Sequence, residues 1–211
     1  MIPDAQRLHP SMFNLTEQNI IVRGHLNPAI FQPQWLVKVG LIPPKETIKV
    51  NWEIGAGRPT EFIWENNFSW VINDTFLKVN APVGNPPKEL GKFVSGIFDK
   101  LEHTPISGTG HNFLFEGEAI GKLDPSFLCK ENLGLEKTTP WGMVSRLKHE
   151  IRIERDEISE INIYFQKSSL KSNFQLNFHY EVSSANQVVN YSKKIEDNLE
   201  ISKEILKTFL K

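Results

Sequence analysis

The clearest pattern in the chain is a strict alternation late in its length. Leu147, His149, Ile151 and Ile153 alternate with Arg146, Lys148, Glu150 and Arg152; Ile161, Ile163 and Phe165 with Asn162, Tyr164 and Gln166; and Phe174, Leu176, Phe178, Tyr180 and Val182 with Gln175, Asn177, His179 and Glu181. A period of two with one apolar side predicts three antiparallel strands covered on one face. Earlier, β-branched and aromatic runs predict strands over 19–26, 47–54, 60–65 and 68–80, the last folding back at Asn73-Asp74, and a further strand over 107–116. Asn66-Asn67 suits a tight hairpin, because Asn tolerates positive φ.

Helical spacing is equally distinct in one place. Leu90, Phe93, Val94, Ile97, Phe98 and Leu101 lie on one face at period 3.6, after an Asn85-Pro86-Pro87 start. Asn27-Pro28 predicts a shorter helix over 29–39 closed by Gly40, with Ile30, Trp35, Leu36 and Val39 inward. Ser184-Ala185-Asn186-Gln187 has the form of a capping box, opening a helix that runs to the last residues. At 1.5 Å per residue its roughly 26 residues extend about 39 Å, which would overhang a small sheet.

The order strand, helix, strands, helix occurs twice, and a short echo accompanies it. Gly24-His25-Leu26-Asn27-Pro28-Ala29-Ile30-Phe31 returns as Gly121-Lys122-Leu123-Asp124-Pro125-Ser126-Phe127-Leu128, with Asp124 expected to cap a helix to about 132. The expected fold is α+β: two strand-helix-(three or four strands)-helix repeats forming a long curved antiparallel sheet with helices on one face. Residues 1–18 read as an irregular arm, 19–104 as the first repeat and 105–211 as the second. This plan is similar to the duplicated saddle of TATA-binding-protein-like folds, as architecture alone. The stretch from Trp70 to Asn80, the helix to Leu101, Thr104-Pro105-Ile106-Ser107-Gly108-Thr109-Gly110-His111-Asn112-Phe113 and the closing residues 199–210 resemble a family of uncharacterised bacterial proteins of similar size. That family has no established activity, so the resemblance implies a fold and a bacterial origin.

Composition narrows the functional classes. Among 211 residues, 24 Lys+Arg stand against 25 Asp+Glu, so no overall field draws the chain to nucleic acid or an anionic membrane. One cysteine, Cys129, forms no internal disulfide and suits a reducing compartment. No apolar run reaches the roughly 20 residues of a membrane span, and the start lacks a signal-peptide core, which makes a cytoplasmic location the expectation.

Catalytic chemistry has one candidate segment, residues 102–111, where His103 or His111 would act as base and Ser107 as nucleophile, oriented by Glu102 or Glu116. The simpler reading is glycines that let a strand pass close to the preceding helix, with the histidines at a strand end. The six histidines show no i, i+4 pair and Cys129 has no second cysteine, so neither a metal nor another cofactor is expected. A nucleic-acid surface would use Arg146, Lys148, Arg152, Tyr164 and His179, but Glu150, Glu154 and Glu181 interrupt them. Trp64 and Trp70 flank the Asn66-Asn67 turn and are candidate interface anchors. The leading expectation is a non-enzymatic accessory or regulatory module. It holds a protein partner or a second copy of itself through its sheet face or terminal helix, with nucleic-acid binding and hydrolysis as the alternatives.

Overall fold

A computed structural model describes residues 13–52, 59–118, 147–155, 158–167 and 171–209. It is an α+β chain built on one nine-stranded antiparallel sheet, ordered β2-β3-β4-β5-β1-β6-β9-β8-β7. The strands are β1 (Phe13–Gly24), β2 (Ile48–Trp52), β3 (Pro59–Trp64), β4 (Phe68–Ile72), β5 (Phe76–Ala81), β6 (Ile106–Glu118), β7 (Leu147–Arg155), β8 (Ile158–Lys167) and β9 (Lys171–Tyr180). Among the described residues four helices accompany them: α1 (Pro33–Lys38), α2 (Pro87–Asp99), α3 (Ala185–Ser192) and α4 (Ile195–Phe209). None is long and apolar enough to cross a membrane.

The centre of the sheet is the pair β1 and β6, running from Phe13 opposite Gly117 to Gly24 opposite Ile106. The sheet is therefore continuous across the boundary expected near residue 105. β1 also begins at Phe13, inside the stretch expected to be an arm. A bulge between Leu15 and Glu17 hides it from an alternation test, because it moves the inward positions from Phe13 and Leu15 to Gln18, Ile20 and Val22.

Turn chemistry fixes the hairpins. Asn66 takes φ 61° between β3 and β4. Between β4 and β5 the Asn73 side-chain oxygen accepts from the Thr75 and Phe76 amides at 2.8 Å each, so the run 68–80 does fold at that point.

Helix starts differ from the expected ones. Asn27 accepts from the Ala29 amide, but the helix waits until Pro33, whose fixed φ suits the first turn. It ends as expected: Gly40 at φ 78° lets its own amide and that of Leu41 reach back to Val37 and Leu36. Pro86, with no capping side chain, precedes α2. Asn85 instead donates to the Asn66 and Asn67 carbonyls, tying the hairpin to the helix start. The Asp124 helix start and Cys129 lie outside the described residues.

The core lies where α2, α3 and α4 meet the sheet. Leu90, Phe93, Val94, Ile97 and Phe98 are buried along α2, as their spacing predicts. They meet Phe68 and Trp70 of the sheet through Phe93, and Phe31 through Phe98. The terminal helix is two helices. Ser184 caps the first by accepting from the Gln187 amide, and the chain breaks at Lys193-Lys194 before α4 begins. The 15 residues of α4 extend about 22 Å, against about 38 Å across nine strands. Ile195, Asn198, Leu199, Ser202 and Leu206 are buried, so α4 does not overhang the sheet but packs into its own molecule.

Candidate functional site: an amide row across the sheet

Asparagine is depleted from strands because its amide competes for backbone partners and packs poorly on a pleated surface. Five neighbouring strands of this sheet nevertheless each carry one in line with the others, and the register aligns all five. Asn80 pairs with Asn19, Asn19 with Asn112, Asn112 with Asn177, and Asn177 with Asn162. Ser69 precedes the row opposite Asn80, and Arg152 follows it opposite Asn162. At strand spacing the five amides cover about 19 Å, perpendicular to the chain direction.

Alternation puts this row on the face opposite Ile20, Val22, Leu77, Val79, Phe113, Leu176 and Phe178, all of which are buried. Contacts link the row at its centre. Asn112 Nδ2 donates to Asn19 Oδ1 at 2.8 Å. Asn19 Nδ2 donates to Glu17 Oε1 at 2.8 Å, and Lys78 Nζ reaches the same oxygen at 2.8 Å. Asn80 Nδ2 donates to Ser69 Oγ. Asn19 and Asn112 are 4% and 7% exposed, so they are fixed by each other rather than by water.

The outer members are less satisfied. The Oδ1 atoms of Asn80 and Asn162, and that of Asn173 nearer the start of β9, are shielded from solvent and have no hydrogen-bond partner among the described residues. A shielded amide oxygen without a donor costs on the order of 1–3 kcal/mol. Nearby charges on the same face are mixed: Glu17 and Lys78 form an ion pair, and Glu160 stands opposite His179.

The residues singled out from sequence divide between the two faces. Tyr164 and His179 are half-buried on the amide face, two residues to either side of the row; His179 lies against Gly108, where a Cβ would stand 3.2 Å from its ring. Arg152 ends the row and Lys148 stands opposite Gln166, while Arg146 lies outside the described residues. Trp70 belongs to the other face and is 1% exposed, stacked on Phe62 with its Nε1 donating to the Phe31 carbonyl at 3.0 Å; it is core, not an interface anchor. Trp64 is partly buried and donates to Glu46 Oε2. It lines a cleft of about 420 Å³ with Asn66, Asn67, Asn85, Glu89 and Lys92.

The candidate catalytic segment does not assemble. His103 is 94% exposed beside Glu102, Ser107 is exposed, and His111 is fully buried. Four strand positions separate Ser107 from His111, about 13 Å. The glycines there do bring strands close, but against β9 rather than a helix: a side chain at Gly110 would meet the Phe178 carbonyl at 2.9 Å.

His111 has a structural place instead. Asn198 Nδ2 donates to His111 Nδ1 at 2.8 Å and to Tyr180 Oη at 2.6 Å, spending both amide hydrogens. The ring's Nε2 is buried with no hydrogen-bond partner among the described residues, and burial pulls the ring down to a pKa of about 3. Among the described residues no group of three His, Cys, Asp or Glu side chains could hold a metal ion.

Compared with protein families, curated proteins and solved structures, the chain gives no match in any of the three.

Proposed function

We propose that the chain is a non-enzymatic accessory or regulatory module that holds a polypeptide partner on the amide-bearing face of its sheet. The reading takes the molecule as a duplicated saddle. β1 and β6 are its two central strands, each half passes from its central strand to the far edge at β2 or β7 and runs its later strands back inward to β5 or β9, and the helices gather on the opposite face.

The observation that carries it is the row of five aligned asparagines, of which Asn80, Asn162 and Asn177 are partly exposed. Amides donate and accept at once and carry no charge, which matches peptide groups and polar side chains. A polyanion requires a surplus of cations to replace its counterions. Here Lys78 is already paired with Glu17, and Glu116 and Glu160 are interspersed. The terminal helix is left out of the proposal because its apolar side is used internally.

The test places a photoreactive amino acid at position 177, on the row, and in a separate protein at the exposed position 200 on α4, followed by irradiation in the cell that makes the chain. The expected result is a discrete, protease-sensitive adduct from position 177 and none from 200. A nuclease-sensitive adduct, equal labelling from both positions, or no adduct from 177 overturns the proposal.

A further inference from the structure

Both ends of the sheet are strands with one side unpaired to any described strand: β2 at one end, β7 at the other. Such an edge offers a row of backbone donors and acceptors that another strand can complete. The edges differ in length, five residues in β2 against nine in β7. The β7 sequence Leu-Lys-His-Glu-Ile-Arg-Ile-Glu-Arg is, moreover, almost self-complementary when read antiparallel to itself.

We infer that β7 is a homodimer edge, pairing antiparallel with β7 of a second copy about Ile151. Centred there, all nine residues overlap and Ile151 faces Ile151. Glu150 of each copy stands opposite Arg152 of the other, Lys148 opposite Glu154, and His149 opposite Ile153. Slipping the register by one residue opposes polar positions to apolar ones. Slips that keep the faces matched fail on charge. Centring on Glu150 opposes Glu150 to itself and Lys148 to Arg152; centring on Arg152 opposes Arg152 to itself and Glu150 to Glu154. Like charges directly opposite one another destabilise a pair of strands. Centring on His149 or Ile153 loses four residues of overlap. Of these registers, the one centred on Ile151 alone keeps full overlap and matched faces with no like charges opposed, its terminal pair being Leu147 opposite Arg155.

The geometry has a consequence for the rest of the molecule. The two-fold axis of an antiparallel edge pair is perpendicular to the sheet, so both copies present the same face on the same side. The two asparagine rows then belong to one continuous surface. The inference does not depend on what that surface binds.

Charge reversal of the full chain tests it by light scattering and sedimentation. Wild type is expected to be a dimer. Glu150→Arg and Arg152→Glu each oppose like charges twice across the axis and shift the protein toward monomer, while the double variant restores the dimer. Should a reversal disturb folding by circular dichroism, Glu150→Gln removes the two symmetry-related pairs without adding repulsion. It is then expected to raise the dimer Kd by roughly 2- to 30-fold. A monomeric wild type, a dimer insensitive to both reversals, or a double variant that stays monomeric overturns the inference.

Discussion

The buried imidazole of His111 gives this fold a built-in acid sensitivity whose size follows from its surroundings. The ring is fully buried between β6 and α4, it accepts from the Asn198 amide through Nδ1, and its pKa falls from 6.5 to about 3. The native state excludes the proton that the unfolded chain accepts, so this group leaves stability untouched above pH 6.5. It lowers stability progressively as pH falls from there toward 3, where the loss reaches its full value. A difference of that size corresponds to about 5 kcal/mol at the acid limit, and to about 2.5 kcal/mol between pH 7 and pH 4.5. The assay is urea unfolding of the wild type and of His111→Gln across that range. Subtracting the two curves cancels every other titrating group, so the remainder should show the wild type losing about 2.5 kcal/mol relative to the variant by pH 4.5. Parallel stability curves would refute the reasoning, as would an NMR titration in which the His111 ring protonates near pH 6.5.

Three further substitutions probe the packing. A side chain at Gly91 of α2 would stand 2.4 Å from the Ser192 backbone oxygen of α3, whereas one at Gly96 would meet only the end of the Leu41 side chain. Gly91→Ala should therefore cost about 1–3 kcal/mol by urea unfolding, while Gly96→Ala stays near neutral as helix propensity offsets the Leu41 shift. Trp70→Ala should cost about 3–5 kcal/mol in the same assay, because it empties the space against Phe62 and Phe93 and leaves the Phe31 carbonyl without its donor.

Legibility in the sequence followed the range of the interaction involved. Alternation in β8 and β9 and the apolar face of α2 are set by the requirement that one side be covered, so Ile161, Phe178 and Phe98 declare themselves one strand or one turn at a time. Features that depend on a neighbour distant in sequence did not. Asn85 reads as a helix cap because local spacing suggests one, yet its side chain goes to Asn66 and Asn67. Trp70 looks like an exposed hairpin flank until Phe62, Phe93 and Phe31 close around it. The break at Lys193-Lys194 has no Gly or Pro to mark it, and the spacing of Val188, Ile195 and Leu199 is the same for a continuous helix.

The asparagine row is the extreme case of this dependence. Each of Asn19, Asn80, Asn112, Asn162 and Asn177 taken alone is an ordinary polar position on a half-covered strand, and only the pairing register makes them a line. A slip of one residue in any of these strands would turn its asparagine into the apolar core and carry Ile20, Val79, Phe113, Ile163 or Phe178 outward. The apolar side of the sheet thus holds the amides in register. The hydrogen bond from Asn112 to Asn19 completes the alignment at the centre, where both side chains are almost wholly shielded. The same alternation is legible in β7, whose outer side faces no described strand.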